Sequence, residues 1–168
     1  PDGGSLLRLT TNELQNDLLA QWSPDGTQIA YMTNYSVGDG TGEIWVMDAD
    51  GANARRLTDN NVDDRSPEWS PDGMRIAFTR SYRLPEGRGR AELLVYDLAA
   101  GREYLIRGGP GYNYAAVWSP DGAWLAFTGT DENPNNRALY VARPDGSAVQ
   151  PLAAADDTIL TGAGLWLR

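Results

Sequence analysis

"WSPDG" stands at Trp22–Gly26, again at Trp69–Gly73, and again at Trp118–Gly122. The three Trp positions lie 47 and 49 residues apart, and "GAGLW" puts Trp166 another 48 residues on. A catalytic motif is needed once in a chain. A motif spelled three times at near-even spacing marks a structural unit that repeats.

The rest of the unit repeats with it. After each WSPDG comes a short apolar run: "TQIAYMT" from Thr27, "MRIAFTR" from Met74 and "AWLAFTG" from Ala123. A variable loop follows, then a second apolar run: "EIWVMD", "ELLVYD" and "ALYVAR". Next comes a Gly turn, at Asp48–Gly51, Asp97–Gly101 and Arg143–Gly146. A closing stretch like "ARRLT" ends the unit, and "PDGGSLLRLT" at the start matches "ADGANARRLT" position for position.

Turn chemistry says what these segments are. In Ser-Pro-Asp-Gly, Pro presets φ for a type I turn, Asp tolerates the next position, and Gly takes a positive φ. That is a tight, bulged hairpin. The runs on either side of the variable loop are nearly continuously apolar, as suits strands covered on both faces. Four-stranded sheets repeating every 47–49 residues predict an all-β chain, a β-propeller of antiparallel blades. Frequent Gly and Pro rule out a helical solenoid. The expected boundaries are an outer strand of a preceding blade at 1–10, blades at 17–58, 64–107 and 113–153, and an inner strand of a following blade at 161–168. Three blades cannot close a ring, so the chain is expected to be part of a larger propeller or to self-associate. Thr10-x-x-Glu13 has the form of a capping box, which fits a short helical turn between units.

Composition excludes several function classes. The 168 residues contain neither Cys nor His. Disulfides, thiol nucleophiles, Cys-ligated metals and a Ser-His-Asp triad are therefore out of reach of this chain alone. The net charge is −9, and all fourteen cationic residues are Arg. An acidic chain is a poor nucleic-acid binder, because phosphate contacts supply most non-specific affinity. No apolar run approaches the ~20 residues of a membrane-spanning helix.

"WSPDGTQIAYMT…EIWVMDADGANARRLT" and "PEWSPDGMRIAFTR…ELLVYDLAAG" resemble the WD40-like repeats of the TolB propeller family. The resemblance runs over essentially the whole chain and is specific for fold. It implies a non-enzymatic module that docks a protein or peptide in a bacterial periplasm or another extracytoplasmic space. Similar repeats also occur in prolyl-oligopeptidase, dipeptidyl-peptidase and tricorn-like peptidases, so a non-catalytic portion of a peptidase is the alternative. "RPDG" departs from the acidic "DADG" of the first turn, and Trp166 is followed by Leu-Arg rather than Ser-Pro-Asp-Gly.

In an up-and-down blade the Ser-Pro-Asp-Gly and second Gly turns share one rim, and the long, unlike loops share the other. Variable loops on a rigid scaffold carry recognition. The expected partner-binding residues on the long-loop rim are Tyr35, Asp59, Asp63, Tyr82, Arg83, Arg88, Arg90 and Tyr112. Arg and Tyr are the side chains that anchor interfaces. The position five before each Trp holds Asp17, Asp64, Asn113 and Thr161, which read as caps bonding local backbone. "TDNNVDDRS" gathers Asp59, Asn60, Asp63 and Asp64, all oxygen donors of the kind Ca²⁺ uses. It lacks the spacing of a known calcium loop, so no cofactor is expected, with Ca²⁺ the one to test.

Overall fold

The computed structural model describes residues 6–11, 15–35, 41–83, 89–107, 109–130 and 136–152. Twelve strands run through them, and no helix occurs among the described residues. The first meander is β1 (Gln15–Trp22), β2 (Gln28–Tyr35), β3 (Gly42–Asp48) and β4 (Arg55–Arg56). The second is β5 (Asp63–Trp69), β6 (Arg75–Arg83), β7 (Gly89–Asp97) and β8 (Arg102–Leu105). The third is β9 (Tyr112–Trp118), β10 (Leu125–Thr130), β11 (Arg137–Ala142) and β12 (Gln150–Pro151). Pairing within each is antiparallel between chain neighbours. The expected second strands after each WSPDG are β2, β6 and β10. The proposed helical turn includes Glu13, outside the described residues. Residues 6–11 carry no strand, and Leu9 packs instead on the face of the first sheet formed by Ile29, Tyr31 and Met47.

The Ser-Pro-Asp-Gly turns are built alike, from the same bonds. In the first, Gly26 N donates to Ser23 O and Ser23 N to Gln28 O, both at 2.9 Å. The Ser23 hydroxyl donates to Asp25 Oδ1 at 2.6 Å and accepts from Gln28 N at 2.9 Å. Ser70 and Asp72, then Ser119 and Asp121, repeat the arrangement. Gly73, with φ of 69°, shows why the fourth residue is Gly: an L side chain there is strained although nothing crowds it closer than Pro24 Cδ at 3.9 Å.

The core lies between sheets. Ala30 and Val46 of the first pack on Trp69 and Ile76 of the second, while Met32 and Ile44 meet Phe78 and Leu94. Ala77, Leu93, Val95 and Ile106 meet Trp118, Leu125, Phe127 and Ala142 of the third. The second sheet is thus covered on both faces, which is why its inner strands are apolar without alternation.

The three repeated Trp residues occupy the same place in their strands but not the same environment. Trp69 and Trp118 are 6% and 7% exposed; Trp22 is 59% exposed. Trp69 and Trp118 each pack on the sheet before their own, and no described sheet precedes Trp22.

Each first strand also carries a bulge. The pairing register slips between Leu18 and Gln21 and between Arg65 and Glu68, and β9 slips opposite Ala126–Thr128. The residue three before each Trp takes the left-handed conformation: Leu19 at φ 55°, Ser66 at 56° and Ala115 at 55°. The bulge bends the strand and twists it locally, so that the Trp can reach the neighbouring sheet.

Candidate functional site

The meanders place the stereotyped turns at one rim and the connections β2–β3, β6–β7, β10–β11, β4–β5 and β8–β9 at the other. The turn rim is closed by its own bonds. Arg75 donates to Asp72 and to the Gly122 carbonyl, and its guanidinium lies 4.8 Å from the Trp118 ring centroid. Arg143 sits over Trp124 at 4.0 Å.

At the long-loop rim, neighbouring sheets are clasped by their first residues. Gly42 N donates to Asp63 Oδ1 at 3.0 Å, and Gly89 N donates to the Tyr112 hydroxyl at 3.2 Å. Ala91 N donates to Gly111 O at 3.1 Å, making the one parallel bridge between second and third sheets. Asp63 and Tyr112, expected as partner contacts, therefore hold sheet to sheet; Asp63 also pairs with Arg65.

The other expected residues fall into distinct surroundings. Asp59 is exposed and pairs with Arg56 at 3.0 Å. Tyr82 is half-buried, and its hydroxyl donates to Glu92 Oε2 at 2.8 Å. Arg90 pairs with the other oxygen of Glu92 and lies over the Tyr82 ring at 5.6 Å. Arg83 is exposed at the end of β6 and has no ion-pair partner among the described residues. Tyr35 ends β2, with its side chain outside the described residues, as is all of Arg88. Tyr82, Arg83, Arg90 and Tyr112 thus come together at one stretch of rim, away from Asp59.

The acidic stretch considered for Ca²⁺ is already engaged. Fully buried Asp64 takes Arg80 at 2.7 Å and Asn60 Nδ2 at 2.8 Å. Arg80 also binds Glu103 at 2.8 Å. Burial works against the Arg80 charge, and the bonds to both carboxylates outweigh it, so its pKa rises. No group of three or more acidic side chains placed for a metal occurs among the described residues. Of the positions five before each Trp, Thr161 lies outside the described residues, and the other three have unlike partners. Asp17 accepts from the Thr33 hydroxyl at 2.7 Å and Asp64 binds Arg80, both across the strand pair. Asn113 reaches local backbone, donating to Pro110 O at 2.9 Å. Opposite it stands Gly129, which offers no side chain.

Sequence reasoning missed Glu92 and Arg107 and read Asn113 only as a local cap; the three share a cleft on this rim. Their signal was available only as a difference between repeats: where "RRLTDN" has Thr58, "YLIRGG" has Arg107.

A family model described as the TolB beta propeller domain matches residues 29–161. The chain belongs to the TolB β-propeller family. Among solved structures, this TolB-family chain is similar to the putative TolB from Agrobacterium tumefaciens, at 26% identity and a TM-score of 0.61 over 77% of this chain and 43% of that one. It is similar to TolB from Acinetobacter baumannii at 21% identity and a TM-score of 0.61, over 86% of this chain and 34% of that one. The β-propeller domain of the Trilobed protease from Pyrococcus furiosus matches at 18% identity and a TM-score of 0.65, over 83% of this chain and 43% of that one. This chain therefore spans less than half the length of these relatives. No curated protein matches it.

Proposed function

We propose that this chain is a non-enzymatic docking module of TolB type that engages a protein or peptide on its long-loop rim. The observation that carries the reading is the placement of cations. In a chain of net charge −9, Arg83, Arg90 and Arg107 stand exposed on one stretch of that rim. Arg83 and Arg107 lack an ion-pair partner among the described residues. The opposite rim spends its arginines on turns and Trp rings. Arg anchors placed among loops are typical of interface hot spots. By family resemblance the module works outside the cytoplasm. The same reading joins Trp22, left uncovered, to a further blade, whether of a longer chain or of a second copy.

The test is capture of a partner from cell extract by the wild-type chain and by Arg83→Glu. Arg83 is the clean position, because it makes no ion pair with any of the described residues. Loss of capture with an unchanged melting temperature supports the rim. Retained capture by Arg83→Glu, with loss on altering Arg143 at the turn rim, places docking on the opposite face. Turnover of a peptide or glycan by the purified chain would end the non-enzyme reading.

The likeness to the Trilobed protease propeller supports a second reading, a non-catalytic portion of a peptidase. Flanking gene sequence decides: an α/β-hydrolase segment with G-x-S-x-G favours the peptidase.

A further inference from the structure

The first and second sheets treat the same buried carboxylate differently. Leu57 N donates to Ile44 O and Ile106 N to Leu93 O, so Glu43 corresponds to Glu92 and Thr58 to Arg107. Glu43 is fully served from within the chain. It takes the Thr58 hydroxyl at 2.6 Å, the Asn60 N–H at 2.9 Å and Arg56 at 2.8 Å. Glu92 is buried too, yet among the described residues it takes only Tyr82 and Arg90. At the place of Thr58 stands Arg107, which makes no bond to Glu92 among the described residues, and the Gly109 N–H, at the place of the Asn60 N–H, makes none there either.

What replaces those groups is open space. A cleft of about 380 Å³ lies between Arg90, Glu92, Arg107, Gly109, Gly111 and Asn113. Asn113, 6% exposed, lines it, and its Oδ1 is the one buried side-chain polar atom without a hydrogen-bond partner among the described residues. Gly109, whose Cβ would fall 2.5 Å from that oxygen, leaves the approach without a side chain. Buried acceptors are normally paired. Here two adjoining acceptors have capacity to spare, beside two guanidinium groups and one carboxylate.

We propose that this cleft binds an acidic residue of an extended partner segment. The walls carry two cations against one anion, and Glu92 is already held by Arg90 and Tyr82, so the net field favours an anionic visitor. Arg107, without an ion-pair partner among the described residues, takes the carboxylate in the bidentate manner guanidinium allows. The adjoining backbone N–H groups of the segment serve Glu92 and Asn113 Oδ1. A simple anion lacks those donors, and a Lys side chain would meet two like charges. The inference rests on the docking reading above and names the chemistry of its anchor.

The probe is the capped pentapeptide Ac-Ala-Ala-Glu-Ala-Ala-NH₂, titrated into the whole ¹⁵N-labelled chain beside its Gln and Lys counterparts. The Glu peptide is expected to shift the amides of Ala91, Arg107, Gly109, Gly111 and Asn113 saturably, and to bind roughly tenfold more tightly than the Gln peptide, as a charge-assisted bond implies. Two variants check the place. Arg107→Thr installs the residue of the first sheet, whose hydroxyl caps Glu92, and is expected to abolish the preference for Glu. Gly111→Leu fills the cleft from a position where a Cβ meets nothing within 4 Å, and is expected to abolish binding with the melting temperature held. Equal response to all three peptides, preference for Lys, or shifts elsewhere overturn the proposal, as does undiminished binding by Gly111→Leu. A captured partner that loses affinity with Arg83→Glu but keeps it with Arg107→Thr and Gly111→Leu leaves the docking rim standing and removes the cleft from it.

Discussion

The indole Nε1 of Trp118 donates to the backbone oxygen of Glu68 at 3.1 Å. Glu68 directly precedes Trp69, whose own Nε1 donates to Gln21 O at 3.2 Å, and Gln21 directly precedes Trp22. Each sheet is thus hung on the one before it by the same bond, one residue ahead of the same Trp. Trp118→Phe keeps most of the packing but leaves the Glu68 carbonyl without its donor. Chemical denaturation should show a loss of about 1–3 kcal/mol, the cost of an unsatisfied buried polar group. Trp22→Phe should cost about 0.5 kcal/mol or less, because Trp22 itself is exposed. If a second copy covers Trp22, its substitution instead costs as much as that of Trp118, and the wild-type melting temperature rises with concentration.

The left-handed residue in each first strand gives an unusual sign to a glycine substitution. Left-handed backbone costs a residue with a Cβ roughly 1–2 kcal/mol, and glycine in a strand costs roughly 0.5–1 kcal/mol in entropy. At Ala115, with φ of 55°, the two oppose each other. Ala115→Gly should be neutral or stabilising by up to ~1 kcal/mol. The neighbouring Ala116→Gly lacks that compensation and should destabilise by about 0.5–1 kcal/mol or more, since Ala116 packs on the core. Melting of the pair by circular dichroism checks the difference, and equal losses would contradict the bulge.

These bulges mark the limit of what the sequence shows. The second and third strands and both turns of each unit were legible because Pro, Asp, Gly and the apolar runs encode them locally. Leu19, Ser66 and Ala115 carry no such mark, since neither Gly nor Asn stands there; at Ser66 and Ala115 the bulge goes with the reach of Trp69 and Trp118 to the preceding sheet, a contact between units that no local sequence shows. The rim was legible as a place but not as a set of contacts. Asp63 and Tyr112 looked like free loop residues and are clasps, because what they bond is backbone in another unit. Glu92 looked like one more strand residue. Its openness follows from the hydroxyl that Arg107 does not supply and from a Gly109 N–H that makes no bond to it, which emerges only when the units are compared at Thr58 and Asn60.

The Asp64–Arg80–Glu103 group spans the second sheet with Asp64 fully buried. Removing one partner of a buried pair costs more than the pair contributes, because the remaining charge is stranded. Arg80→Ala should therefore destabilise by about 3–5 kcal/mol. Arg80→Ala with Asp64→Leu together should cost less than Arg80→Ala alone. A double-mutant cycle in urea tests this, and simple additivity of the two changes would rule out the coupling.

Acid should unravel the turn rim in a defined window. Asp25 and Asp121 titrate below the ordinary 3.8, held down first by the Ser23 and Ser119 hydroxyls and then by the N–H groups of Thr27 and Ala123. Asp145 is lowered likewise by Ser147. At Asp72 burial pushes upward, but the Ser70 hydroxyl, the Met74 N–H and Arg75 more than offset it. Each folded-state value lies below the unfolded one, so each group's contribution is fully present above 3.8 and is lost as pH falls through the lower folded value. The melting temperature should hold steady down to about pH 5 and then drop between about pH 4 and 2. Ser119→Ala removes the first cause at Asp121 and should lower the plateau while flattening the acid limb. A variant that keeps the wild-type slope would separate the acid sensitivity from the turns.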